Sequence, residues 1–273
     1  MIIHDWNGDL MVIYQMDHGD LAAQFERSWG NTTFAPAEPS QAMAHATSWH
    51  DNGWIEYDAK PRVNPQTRRP YRLHEVPATE HLEFYKAGIG KVIREDAYAG
   101  LLVSMHLTGL YQQRYGLDGG MPSFIERAAP EARENVRAFI AQLEREQAEL
   151  RARLQHNPAY AAAVEDRWLW TNYRLLQVFD QISLFFCFFR PGATRTIKAA
   201  PRTYDGAEVT LRVTALDASR VVVVPFPFAH AETEVTLRVK RLPNRTYADD
   251  DDVRATLNAA PFQALRYILA AVA

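Results

Sequence analysis

Three histidines and two carboxylates stand where side-chain packing gives them little to do: His18, the adjacent pair His50-Asp51, His106 and Asp180. Imidazole and carboxylate together suit zinc, iron, manganese and similar divalent ions. An ion so held activates water and neutralises anionic oxygens. Each residue alone has an ordinary explanation. A histidine on an apolar face is usually a hydrogen-bonded core residue, a buried aspartate usually meets an arginine, and a His-Asp dipeptide is a cheap match. Taken jointly, one divalent cation lying between their helices satisfies all of them.

The segments carrying these residues read as separate helices. Ser40 to Trp49 is bounded by a plausible N-cap at Ser40 and a stop at Gly53, which puts His50 and Asp51 in its last turn. A carboxylate there faces the negative end of the helix dipole, at a cost of about 0.3–1 kcal/mol that a bound cation relieves. An earlier helix starts near Asp17, and its buried stripe of Leu21, Phe25 and Trp29 turns His18 inward. Asp96 caps another, expected to run to Arg114, on which His106 shares a face with Ala99, Leu102, Val103 and Leu110. The helix from Asp166 to Phe189 is apolar almost all round beyond Leu175, with Asp180 in its middle. A buried carboxylate without a partner is strongly unfavourable, so Asp180 demands an arginine, a backbone cap or a metal.

The rest of the chain frames them. Ile2 and Ile3, the Asn7-Gly8 turn and Leu10 to Tyr14 predict a hairpin. Residues 55–77, with four prolines, read as a long irregular loop. Its Lys60, Arg62, Arg68, Arg69 and Arg72 make it a candidate clamp for an anionic substrate. Thr79 to Ile93 is a further helix, Gly116 to Pro122 a break, and Pro130 to Gln155 a charged outer helix striped by Val136, Phe139, Ile140, Leu143, Leu150 and Leu154. Beyond Pro191-Gly192 the pattern changes to period two. Glu-Val-Thr-Leu-Arg-Val occurs identically at 208–213 and 234–239, with Arg220 to Phe228 between, which predicts an antiparallel meander. Asp249 to Asp252 reads as a solvated helix start, since the glycine and alternating ligands of a calcium loop are missing. A last apolar segment, Phe262 to Val272, is expected to pack back on the core. The expectation is therefore a mainly α protein: a helical bundle over 1–192 with an N-terminal hairpin, then an antiparallel β region with a terminal helix over 193–273.

Composition sets outer bounds. The chain has 273 residues, 47% of them hydrophobic, which suffices for one large core or two modest ones. A net charge of −3 lacks the footprint of a nucleic-acid binder. Neither a signal peptide nor a membrane-spanning run is visible, and the single cysteine, Cys187, fits a reducing cytoplasm. Homo-oligomerisation is left open.

The order His, His-Asp, Asp, each on its own helix, resembles the signature of the HD-domain superfamily of metal-dependent phosphohydrolases. Asp17-His18-Gly-Asp-Leu-Ala, Ala-Thr-Ser-Trp-His50-Asp51-Asn-Gly53 and Val-Phe-Asp180-Gln-Ile-Ser-Leu carry the resemblance, which covers residues 15–190. The spacing from Asp51 to Asp180 is longer than that pattern favours and must be filled by the charged outer helix. The whole chain also resembles a bacterial domain-of-unknown-function family opening with Met-Ile-Ile and carrying Gln-x-Asp-His, His-Asp-x-Gly-Trp and Asp-x-x-Ser-Leu; that resemblance implies no activity. The HD resemblance implies His18, His50, Asp51 and Asp180 as ligands of a divalent ion (Mn, Fe, Zn or Mg). Asp51 and His106 would serve the chemistry, His106 beside the metal or on a second one. The substrate would be a phosphorylated small molecule or a nucleotide, its remaining charge met by the 60–72 cations. Some relatives are di-iron oxygenases, for which His74, His81 and His106 are spare ligands. A domain that has lost catalysis and serves as a binding or scaffold module is the third reading.

Overall fold

The computed structural model describes residues 1–112, Ile125 and 128–271. The break expected at Gly116 to Pro122, and Arg114 at the expected helix end, lie outside the described residues.

Apart from α3, the helices fall close to where the sequence put them. They are α1 (Gln15–Ser28), α2 (Ser40–Trp49), α3 (Trp54–Ala59), α4 (Ala78–Glu95), α5 (Ala97–Tyr111), α6 (Arg133–Leu154) and α7 (Asp166–Cys187). Asp96 caps α5 by accepting from the backbone of Tyr98 and Ala99. The outer helix α6 buries Val136, Ile140, Leu143, Leu150 and Leu154 and packs on α5. α7 is buried nearly all round from Leu175 to Cys187, as its composition requires.

The β-structure overturns the expectation of a mainly α bundle with a hairpin at one end and an antiparallel region at the other. The fold is α/β, 48% helical, with one mixed seven-stranded sheet. Its strands are β1 (Ile2–Trp6), β2 (Asp9–Ile13), β5 (Thr194–Pro201), β6 (Glu208–Ala215), β7 (Arg220–Val224), β8 (Glu232–Pro243) and β9 (Gln263–Ala270), in the order β1-β2-β8-β9-β7-β6-β5. The hairpin joins this sheet because it is apolar on both faces. Ile2, Met11 and Ile13 enter the main core, while Met1, Ile3, Leu10 and Val12 form a second, smaller core with Leu242, Tyr247, Val253 and Leu257. An isolated hairpin could bury neither face. β2 therefore pairs with β8, Leu10 opposite Leu242 and Val12 opposite Lys240.

The meander is corrected in the same way. β7 does not pair with β8; β9 lies between them, parallel to β7 and antiparallel to β8. The last apolar segment is thus an interior strand, with Tyr267 and Leu269 inward at period two. The helix near the end is α8 (Asp250–Ala259), capped by the Asp249 carboxylate on the Asp252 amide, as the acidic run suggested.

Residues 55–77 are less irregular than expected. They hold α3, a two-residue strand pair β3 (Val63–Asn64) and β4 (Arg69–Pro70), and a short 3-10 turn at Leu73–Glu75. Among the described residues no helix is long and apolar enough to cross a membrane.

Candidate metal centre

Five helices deliver one cluster. α1 brings His18, the C-terminal end of α2 brings His50 and Asp51, α4 brings His81 and Tyr85, α5 brings His106, and α7 brings Asp180. Close approach of the backbones makes this possible. A Cβ on Gly19 would run into the Ser48 carbonyl oxygen, so the residue beside His18 has to be glycine for α1 to lie this near α2. His18, His50, Asp51, His106 and Asp180 are all buried.

Hydrogen bonds fix how the two central imidazoles present themselves. His50 Nδ1 lies 2.8 Å from the Thr47 carbonyl oxygen, which can only accept, so Nδ1 carries the hydrogen. The Ser183 hydroxyl donates to the Asp180 carbonyl at 2.8 Å and therefore accepts from His18 Nδ1 at 2.9 Å. In the neutral rings both Nε2 atoms then carry lone pairs. Those atoms face each other at 3.2 Å, with Asp180 Oδ1 at 2.8 Å from His18 Nε2 and 3.5 Å from His50 Nε2. Three electron-rich atoms in a buried triangle repel unless a proton or a cation lies between them. Ligands at 2.0–2.2 Å from a tetrahedral ion stand about 3.3–3.6 Å apart; the 3.2 and 3.5 Å sides match this, and the 2.8 Å side, a hydrogen-bond length, would open slightly around an ion. The donor set fits a metal.

Asp51 closes the next side. Its Oδ2 is 3.6 Å from His50 Nε2 and 3.9 Å from His18 Nε2, while Oδ1 faces His106 Nε2 at 3.7 Å. Two overlapping triads of possible ligands result, His18-His50-Asp180 and His50-Asp51-His106, sharing His50. Tyr85 donates its hydroxyl hydrogen to Asp51 Oδ1 and accepts from Trp54 Nε1 at 3.3 Å.

The electrostatics follow from two carboxylates sealed among imidazoles. Burial opposes charge on His50, yet Asp51, and then the hydrogen bond and charge of Asp180, raise its pKa to about 9. Burial alone would lift Asp51 and Asp180 as well. Instead the imidazoles hold both below the usual carboxylate range: His50, then His106 and His18, for Asp51; His18, then His50, for Asp180. No arginine or lysine among the described residues pairs with either. The partner that Asp180 requires is thus the histidine pair, arranged so that a proton or a metal completes it. His81 is held neutral, its pKa pushed down to about 3 by burial, and its Nδ1 is 2.9 Å from the Tyr111 hydroxyl.

A cavity of about 80 Å³ opens onto the cluster, lined by Gln15, His18, Asp51, Leu73, His81, Tyr85, His106, Leu110, Asp180 and Leu184. None of the expected anion-clamp residues lines it. Lys60 is exposed; Arg62 is 2.5 Å from Glu80; Arg68 donates to the Ala248 carbonyl; Arg69 and Arg72 lie 3.6 and 3.2 Å from Asp5. His74 stands outside this cavity as well. Sequence reasoning passed over Tyr85 and Ser183. Both had a signal: Tyr85 is four residues from His81 on one face of α4, and Ser183 follows Asp180 by one helical turn.

Fold and site together define an α/β protein with a buried His/Asp centre able to hold a metal. The chain belongs to the family described as protein of unknown function DUF3891, whose model matches residues 1–244, ending before α8 and β9. No curated protein and no solved structure gives a match.

Proposed function

We propose that this protein is a metal-dependent hydrolase and that it cleaves phosphoesters with a metal-activated water. What carries the reading is the pair of Nε2 lone pairs held 3.2 Å apart beside the Asp180 carboxylate, with each Nδ1 hydrogen already committed elsewhere. That arrangement is completed by a proton or by a cation, and a divalent ion would engage all three atoms at once. Phosphate as the reacting group comes from the order His18, His50-Asp51, Asp180, which resembles the HD-domain superfamily; the family match adds no activity.

His18, His50, Asp51 and Asp180 would hold the ion. When bound, a divalent cation lowers the pKa of water and neutralises phosphate charge. The chain supplies the rest. Thr47 and Ser183 keep the imidazoles turned with Nε2 inward. Tyr85 occupies Asp51 Oδ1 and leaves Oδ2 facing the histidines. His106, on the cavity wall, is placed to exchange a proton with a reacting oxygen, and Leu73, Leu110 and Leu184 limit water around it.

The test is metal analysis of the purified protein, then a panel of phosphomonoesters and phosphodiesters with the wild type and His50→Ala. About one transition metal per chain, and turnover absent from the variant, supports the reading; no metal uptake overturns it. Asp51, with Oδ2 toward His50 and His18 and Oδ1 toward His106, could bridge two ions, which supports one second reading, a di-iron oxygenase; two irons per chain with dioxygen consumption and no phosphoester turnover would establish it. Metal uptake with neither reaction would mark a binding module.

A further inference from the structure

The metal cavity has a neighbour. A second compartment of about 220 Å³ is bounded by residues 73–79, His81, Tyr111, Ala128, Ala129 and Ala132. It shares Leu73 and His81 with the 80 Å³ cavity, so the two adjoin at those side chains. His81 is anchored there by the Tyr111 hydroxyl on Nδ1 and by ring contacts with Trp54 and Tyr85.

The two compartments differ in chemistry. The smaller holds the ligating groups and is large enough for an ion and a compact anionic head, since one water in the liquid takes about 30 Å³. The larger has a mostly apolar wall of Leu73, Val76, Pro77, Ala78, Ala129 and Ala132, interrupted by His74, Glu75, Thr79 and Tyr111, and is open to solvent on one side. Among the described residues lining either compartment there is no lysine or arginine. Glu75 adds a carboxylate to the larger one, with one oxygen accepting from the Arg72 amide at 2.9 Å. A diphosphate or triphosphate there would meet like charge with no counter-ion. The arginines of the 60–72 loop are turned to Glu80, Asp5 and the Ala248 carbonyl.

Resting on the hydrolase reading above, we infer that the substrate is a monoester of a small uncharged, apolar alcohol or phenol. Its phosphate enters the His/Asp cavity and its leaving group sits in the compartment beyond Leu73 and His81. Nucleoside di- and triphosphates are disfavoured by charge, and a nucleoside monophosphate by the polar ribose and base it would press against that wall. Hydrolysis then breaks the P–O bond to the leaving group: water adds to phosphorus, a proton from that water passes to the departing ester oxygen, and the neutral alcohol leaves along the apolar wall.

The experiment is calorimetric titration of the manganese-loaded protein with phenylphosphonate, methylphosphonate and adenosine monophosphate, using wild type, Ala132→Phe and Ala129→Phe. Either variant fills the larger compartment and leaves the ligands untouched. Expected is phenylphosphonate binding about tenfold or more tighter than adenosine monophosphate, lost by about tenfold in a filling variant that keeps its manganese and its methylphosphonate affinity. Phenylphosphonate binding unchanged in folded filling variants, or tighter binding of the nucleotide, overturns the inference. Failure of the hydrolase reading is seen separately, as absence of manganese uptake. The compartment is then read from para-fluorophenol, whose fluorine resonance should broaden with the metal-free wild type and not with a filling variant; no broadening with the wild type overturns the compartment.

Discussion

Tyr85, on α4, and Asp51, in the turn after α2, are joined by a buried hydrogen bond in which the phenol donates to Oδ1 and leaves Oδ2 facing His50 and His18. The phenol is itself fixed by Trp54 Nε1 at 3.3 Å. A carboxylate that binds metal through one oxygen is oriented by whatever holds the other. Tyr85→Phe removes only that hydroxyl, so the helix and its packing persist. Metal affinity should fall by about 10- to 100-fold, with a stability loss of about 1–2 kcal/mol in the metal-free protein. Titration with manganese or zinc, followed by denaturant unfolding without metal, checks both. Unchanged affinity would remove Tyr85 from the site.

Asp180→Asn separates a ligand from a packing residue. The amide keeps the shape but is a far poorer donor to a divalent ion. A folded, helical protein should result whose metal content and hydrolytic activity are lost together. Without metal the substitution also removes one of the charges that sustain protonated His50, so the metal-free variant should lose roughly 1–3 kcal/mol of stability. Elemental analysis with circular dichroism on one sample decides it. Full metal content in a partly unfolded variant would confine Asp180 to packing.

The site was more legible in the sequence than the fold. His18, His106 and Asp180 each occupy an inward position of a helix whose stripe is plain, and Asp96 and the apolar run after Leu175 mark helix limits that the structure keeps, whereas Gly53, expected as the stop of α2, is the N-cap of α3. Strand partners were hidden because period two tells which face is buried, not which strand lies alongside. Nothing local in residues 9–12 names residues 243–240 as their neighbours, and nothing in Gln263–Ala270 places it between two strands far from it in sequence. The arginines of 60–72 read as free cations for the same reason: Asp5 and Glu80 reach them only through the tertiary fold.

Gly19→Ala tests how closely α1 must approach α2. The added methyl meets a backbone carbonyl at Ser48, which cannot swing aside as a side chain would. We expect a loss of about 1–3 kcal/mol from overpacking, set against the small gain in helix propensity. Because His18 is the next residue, the shift should also part the Nε2 atoms of His18 and His50. Metal affinity should therefore drop more than it does for an alanine placed at a solvent-facing position such as Asp20. Equal stability and affinity would mean that the helices can separate without cost.

Glu26 gives a pH dependence that does not involve the metal centre. It lies on α1, 6% exposed, and its Oε2 finds no hydrogen-bond partner among the described residues. Burial raises its pKa from an ordinary 4.5 to about 7; Arg27 opposes the shift and Glu38 adds to it. A carboxyl whose folded pKa is raised stabilises the protein fully below its unfolded value, and that contribution is lost as pH rises through the folded one. Wild type should thus lose about 1–3 kcal/mol between pH 4.5 and pH 7 from this residue. Glu26→Gln has no charge to bury. The variant should match wild type near pH 5, exceed it by about that amount at pH 8, and show a flatter profile between. Chemical unfolding of both proteins across this range, with excess chelator to silence the metal, measures the difference directly. Parallel profiles would mean that Glu26 is ionised in the folded protein at acid pH and that a counter-charge reaches it.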